Sequence, residues 1–428
     1  MNTGESEEGN VIDNTASKMK EKPDATIIDV VESPEAGTET ETEADAGTED
    51  LQPEVVVENI EAVEEEHLEE AEPKKEVLSK QTLVCIGEYP TKILVKGQFL
   101  GQKNVVQPIF IDKSSEEILK WGKDVLKAES VSGLDADVDT QFWFQVMPYI
   151  EQNEQFIENL KSKLIDTMYG VLLVSSAWDG IGSALLPTLI SQFKEWGIPS
   201  VALALLPSKL QSPDASFNAL SSVAKCFSKE SSTLILVGRD QLNKYVSVER
   251  TGSVLKGNIA INCLVEIMLA KKTFVRELSE LSRSFSVKTF TILAATGASF
   301  KIYGSLENIL DTTLFRPLLS LDLSGASLLY VLPRIPLQLK EKLNRDKIEL
   351  EIAHWFRDKA TLKSIYVTDP LYVEDVNDRV DLIMFVGGFD LKPTFSSMEK
   401  KVNVVKAQLI TQGSIQEKDW EGLKKSLA

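Results

Sequence analysis

The hydrophobic positions of this chain change rhythm from one region to the next. Near-continuous apolar runs of strand length fall at 82–86, 106–111, 171–174, 200–206 and 233–237. Between them, 116–126, 142–150, 153–164, 183–196 and 216–228 carry apolar residues at helical spacing. Uninterrupted apolar strands joined by helices predict an α/β domain over 81–251, built on a parallel sheet covered on both faces. From residue 252 the alternation stops. Leu255, Ile259, Cys263, Ile267, Phe274, Leu278 and Leu281 repeat at helical spacing and predict one central helix over 252–285, roughly nine turns long. Beyond it, strands at 287–294, 326–332, 362–367 and 380–386 and helices at 305–315 and 337–356 predict a smaller α+β domain over 286–396. Residues 397–428 are polar with scattered Val, Leu and Ile, and read as a C-terminal tail with one or two surface helices.

The first 80 residues show almost no periodicity. They hold 25 acids and six lysines, so the whole net charge of −19 sits there and the remainder is neutral. Runs such as Glu39–Asp45 and Glu64–Glu66 repel themselves, and the segment predicts a disordered acidic tail. Its apolar patches at 27–31 and 55–60 read either as docking motifs for protein partners or as solvated tail. Such a tail, with no basic stripe elsewhere, argues against nucleic-acid binding. The acidic start does not read as a signal peptide, and no apolar run reaches the ~20 residues of a membrane span. Three cysteines without metal-type spacing read as free thiols, so the expected location is the cytoplasm. Two histidines, one in the tail, leave no material for a zinc cluster or a His-dependent triad.

The most informative segment is Gly170–Thr188. An apolar strand ends at Ser175–Ser176, Gly180 and Gly182 follow, and a helix pattern starts at once. Strand, glycine turn and helix can aim backbone N–H groups and a positive helix end at a phosphate. A plain α/β turn needing glycine for close packing has the same appearance. Two further stretches add to it. Pro317-Leu-Leu-Ser-Leu-Asp-Leu-Ser-Gly-Ala326 runs into Leu328–Val331, and Asp378–Val386 ends in Gly387-Gly388-Phe389.

In their order these motifs resemble the tubulin/FtsZ superfamily, over about residues 82–395, and point to a divergent, archaeal-like FtsZ relative. The resemblance implies a GTPase-type domain, a central helix and a smaller C-terminal domain. It also implies GTP or GDP as ligand, with or without Mg²⁺, and self-association into filaments serving cell division or cell shape. Carried over by position, the nucleotide-binding residues would be Gly87, Ser176, Gly180, Gly182, Ser183, Asp240 and Asn262, with Asn258 a rival for Asn262.

The chemistry departs from the family pattern. In the family's phosphate loop, a threonine position is Ile181 and a glycine position is Asp179, a carboxylate where phosphates would lie. The first glycine-rich loop is reduced to Gly87, followed by Glu88, Tyr89 and Pro90. Thr91 and Lys92 offer phosphate contacts or simple packing, and Asp112 offers either a metal contact or a cap for the next helix. Val287-Lys288-Thr289 fixes the register of the family's hydrolysis loop, whose acids are Arg283 and Ser286 here and whose asparagine is Leu281. Glu277 and Glu280 are expected on the wrong side of the helix end. No catalytic residue is therefore expected, and hydrolysis should be weak or lost. Arg283 is expected to meet phosphate charge or Asp179 across a subunit interface. Two readings stay open: a GTP-binding filament protein, or a pseudo-GTPase scaffold that no longer binds nucleotide. A dinucleotide-binding enzyme lacks the complete glycine fingerprint.

Overall fold

The computed structural model describes residues 81–427 apart from 102–105, 125, 136–138, 165–166, 168, 229–231 and 375–376. The acidic segment 1–80, with its expected disorder and docking motifs, lies outside the described residues. Among them thirteen strands are found: β1 (Gln81–Ile86), β2 (Val106–Asp112), β3 (Val131–Gly133), β4 (Val171–Ser176), β5 (Ser200–Leu206), β6 (Leu234–Gly238), β7 (Val246–Val248), β8 (Val254–Lys256), β9 (Thr289–Ser299), β10 (Leu328–Pro336), β11 (Ser364–Val367), β12 (Leu371–Val373) and β13 (Arg379–Gly387). β7 and β8 pair only with each other. The rest form one sheet in the order β11-β10-β13-β9-β6-β5-β4-β1-β2-β3, with β12 beside β10.

From β6 to β3 every pairing is parallel, as the apolar runs predict. The C-terminal strands extend this sheet rather than forming a second one. β6 pairs in parallel with β9 at Leu234–Thr289 and Ile235–Phe290, and β13 then runs antiparallel between β9 and β10. Alternate side chains go to opposite faces. Leu83 and Cys85 of β1 and Ile383 and Phe385 of β13 join one core, which also takes the central-helix residues Ile261, Leu264, Met268, Phe274 and Leu278. Val84 and Ile86 join a second core with the helices Trp143–Gln152, Gly180–Glu195 and Pro213–Phe227. Leu382, Met384 and Val386 join a third, under the helices Leu306–Leu314 and Arg345–Phe356.

Two elements differ from the sequence expectation. The stripe over 252–285 is not one helix. It runs through β8, a 3₁₀ turn (Gly257–Ala260), a helix Ile261–Ala270, an extended Lys271 and a second helix Phe274–Phe285. Both helices face the same core, so the apolar period survives a break in the axis. The C-terminal segment is more than a polar tail. The helix Lys392–Thr411 buries Phe395, Met398, Val402, Val405 and Leu409, a three-four spacing that makes one continuous stripe. The last helix, Glu417–Leu427, buries Trp420 against Phe217, the rings stacked 5.6 Å apart.

Beneath the central helix a buried ion cluster ties it to the C-terminal strands. Arg334 on β10 donates to Asp381 on β13 (2.6 Å) and to Glu266 on the Ile261–Ala270 helix (2.9 Å). Asp381 also accepts the Gly297 N–H at 2.6 Å. Nothing in the sequence pattern announced this cluster, because each partner comes from a different element.

Candidate functional site: the C-terminal strand ends

Open parallel sheets place ligands beyond the C-terminal ends of their strands. There the chain leaves β1 at Gly87, β2 at Asp112, β4 at Ser176 and β6 at Gly238. Gly87 has φ +91°, and a side chain there would strike the Ser176 hydroxyl at 2.7 Å and the Asp179 carboxylate at 3.0 Å. Ser176 donates its hydroxyl to Asp179. Asp179 is the N-cap of the Gly180–Glu195 helix and accepts the Gly182 N–H at 2.6 Å. A carboxylate at this point also opposes the positive end of the helix dipole, the place a phosphate would otherwise take.

The glycines are held by the protein's own backbone. Gly180 donates its N–H to the Thr140 carbonyl at 2.9 Å, and a Cβ there would lie 2.2 Å from that oxygen. A Cβ on Gly182 would lie 1.9 Å from the Ser176 carbonyl oxygen. The Ser183 N–H bonds the Asp179 carbonyl at 3.0 Å, and its hydroxyl donates to the same carbonyl at 2.5 Å. Three first-turn amides, those of Gly180, Gly182 and Ser183, therefore already have protein acceptors. Ile181 turns into the second core.

Over this turn lies an aromatic and cationic cap that the sequence reading missed. Tyr89, one turn after β1, meets Trp178 edge-on at 4.9 Å between ring centroids. The Arg239 guanidinium, just after β6, sits 4.7 Å from the Tyr89 ring and 5.2 Å from the Trp178 ring. The available signal was two aromatics in loops where close approach to phosphate calls for glycine.

Acids gather below the cap. Burial pushes the Asp179 carboxyl up to about 7; hydrogen bonds from Ser176 and Gly182 oppose the rise, and like charge on Asp112 and Glu88 adds to it. Asp112 is buried and is pushed up to about 6 by burial, its bond from the Lys113 N–H opposing and Glu88 and Glu117 reinforcing. It does not cap the following helix; Ser114 does, accepting the Glu116 N–H. Among the described residues no cluster of His, Cys, Asp or Glu is placed to hold a metal ion. Thr91 bonds back to the Gly87 carbonyl, and Lys92 pairs with Glu88 over the Trp121 ring, so both serve packing.

The remaining predicted residues lie outside this knot. Asp240 accepts from the Ser208 hydroxyl (2.5 Å) and the Lys209 N–H (2.8 Å). Slight burial works against its charge, but those bonds and the nearby Lys209 and Lys244 hold its carboxyl below the usual range. Asn262 is buried and donates to the Ile93 carbonyl at 3.1 Å, while its Oδ1 has no partner. The Tyr89 hydroxyl, also buried without a well-formed bond, faces Asn258 and Arg239.

No family model and no curated protein matches the sequence. Solved structures do match. CetZ from Methanosaeta thermophila superposes with a TM-score of 0.61 at 16% identity, covering 81% of this chain and 97% of that one. The GDP-bound monomer of CetZ1 from Haloferax volcanii gives 0.60 at 15%, covering 77% and 100%. A GTPγS-form protofilament of TubZ from Bacillus thuringiensis serovar israelensis gives 0.53 at 14%, covering 80% and 95%. The chain has the tubulin/FtsZ fold.

Within this tubulin/FtsZ-fold chain the residues at the strand ends do not fit a triphosphate. The helix amides that would cradle it are engaged, a carboxylate caps the helix, and more acids stand behind it. The hydrolysis-loop positions lie at the opposite end of the sheet. Arg283 and Ser286 are exposed there and line a cavity of about 480 Å³. Glu280 also lines it and pairs with Arg276, contrary to the expectation that it points elsewhere. Glu277 does point elsewhere, accepting the Tyr330 hydroxyl at 2.9 Å.

Proposed function

We propose that this chain is a tubulin/FtsZ-type cytoskeletal protein that assembles with itself in the cytoplasm and does not hydrolyse GTP. One observation carries the reading: the cradle at the N-terminus of the Gly180–Glu195 helix is filled from within by Asp179, Thr140 and Ser176. The missing acids at Arg283 and Ser286 support it further, since neither position offers a carboxylate and the Glu280 carboxylate in the same cavity is paired with Arg276. Assembly is supported by the fold and by relatives solved as protofilaments, among them the TubZ form. Among the described residues no helix is long and apolar enough to cross a membrane.

A second reading keeps a guanine nucleotide as a static ligand. The buried Asn262 Oδ1 without a partner favours it, because a base N–H is the kind of donor it lacks. Titration calorimetry with GTP and GDP, run beside light scattering without nucleotide, separates the two. Assembly in the absence of nucleotide, with no heat of binding, is expected. GTP turnover of ~1 s⁻¹ or faster would overturn the proposal.

A further inference from the structure

Residues 139–142, which bring the Thr140 carbonyl to the Gly180 N–H, are fastened from one short stretch of the Pro213–Phe227 helix. Asn218, buried, donates to the Gln141 carbonyl at 2.8 Å and to the Trp178 carbonyl at 3.0 Å, and accepts the Trp143 N–H at 3.2 Å. One amide thus joins both sides of the filled turn. One turn earlier, Asp214 accepts from the Gln141 side chain at 2.8 Å. Beside Asn218, the Phe217 ring meets Phe142 edge-on at 5.8 Å. The end of the chain covers Phe217 in turn. Trp420 stacks on it and is the one side chain that the Glu417–Leu427 helix fully buries; Leu423 and Leu427 are partly covered. The other side-chain ties of that helix are surface ion pairs, Lys424 with Glu399 at 2.6 Å and Lys406 with Glu417 and Glu421 at 3.4 and 3.6 Å. Such pairs contribute little, and a helix of 11 residues is marginal without packing.

We infer that the Glu417–Leu427 helix is a latch on the filled cradle. With Trp420 seated, Phe217 and Asn218 keep Thr140 on the Gly180 N–H; with the helix displaced, that amide is released at the positive end of the Gly180–Glu195 helix. The inference rests on the reading above that the cradle is filled from within, and adds what controls the filling. An uncovered Phe217 ring gains rotamer freedom, and Phe142 loses the wall it packs against. The terminal helix is the weakest element on this path, so its opening is local rather than global. Whatever draws it away acts on the strand ends without touching them.

Hydrogen exchange of the full chain, read by mass spectrometry, tests the latch with Trp420→Ala and Trp420→Phe. Trp420→Ala should open residues 417–427 and speed exchange over residues 180–183 by about tenfold or more, with β1 and β13 unchanged. Trp420→Phe keeps a ring on Phe217 and should leave both regions closer to the parent. Three results would each overturn the latch while the filled cradle stands: a terminal helix that stays closed in Trp420→Ala, an open helix with parental rates over 180–183 in either variant, or equal acceleration in β1 and β13. If residues 180–183 of the parent exchange as fast as an unstructured peptide, the filled cradle itself fails.

Discussion

Two carboxylates, Asp381 on a strand of the sheet and Asp179 in the turn after another, have been given opposite surroundings. Asp381 meets a guanidinium at 2.6 Å and a backbone N–H at 2.6 Å, and that guanidinium is shared with Glu266. Asp179 has a hydroxyl, one N–H and two acidic neighbours, but no cation. A buried carboxylate with a resident cation is a fixed joint between elements. One without it either takes up a proton or waits for positive charge from outside. The first joins the C-terminal strands to the central helix, and the second lies beyond the C-terminal strand ends, where open parallel sheets bind ligands.

The contrast can be broken experimentally. Arg334→Met strands Asp381 and Glu266 and should cost about 3–5 kcal/mol in urea unfolding, while Arg334→Met with Asp381→Leu should recover much of it. A loss under about 1 kcal/mol would put Asp381 in the same class as Asp179. Gly182→Ala pushes a methyl onto the Ser176 carbonyl and should cost about 1–3 kcal/mol in thermal unfolding without any ligand. A neutral result would mean that the glycine is kept for something other than packing.

The sharpest difference is in pH. The folded-state pKa of Asp179, about 7, lies above its ordinary value of 3.8, so the folded chain holds a proton that the unfolded chain has released. Its contribution is therefore favourable at low pH and is lost as pH rises from about 4 through about 7. Asp179→Asn keeps a capping oxygen without the charge. It should have almost no effect at pH 3 and stabilise the protein clearly at pH 8, the gain growing from about pH 4 to about pH 7. Equal effects at both values would show that Asp179 is not protonated by the fold. Asn262→Leu is the smallest expected change, within about 1 kcal/mol, because the lost bond to Ile93 is offset by removing an unpartnered oxygen. A larger loss would mean that Oδ1 has a partner in solution.

The sheet was legible because its strands are covered on both faces and carry unbroken apolar runs, as in Leu172–Val174 and Leu234–Val237. The break at Lys271–Thr273 was not, because Phe274 and Leu278 keep facing the same core and periodicity records faces rather than axes. The helix at Lys392–Thr411 was readable in principle from Phe395, Met398, Val402, Val405 and Leu409; its polar residues obscured that stripe. At the site, Gly87, Ser176, Gly180, Gly182 and Ser183 do converge. Spacing marked their meeting place but not which carbonyl takes the Gly180 amide or what covers the turn, since Thr140 and Arg239 arrive from distant parts of the chain. Asp240 and Asn262 were placed by resemblance alone, and each is engaged with a neighbouring loop or helix.

The docked helix at Lys392–Thr411 also governs the order in which the protein can mature. Its stripe completes a core shared with Phe217 and Val223, which emerge from the ribosome about 170–200 residues earlier. Until the Lys392–Thr411 segment is made, the nascent sheet domain carries an uncovered apolar strip along the Pro213–Phe227 helix. A stop codon near residue 391 would leave that strip permanently bare, yielding a chain prone to chaperone capture and degradation even though every residue at the strand ends is present.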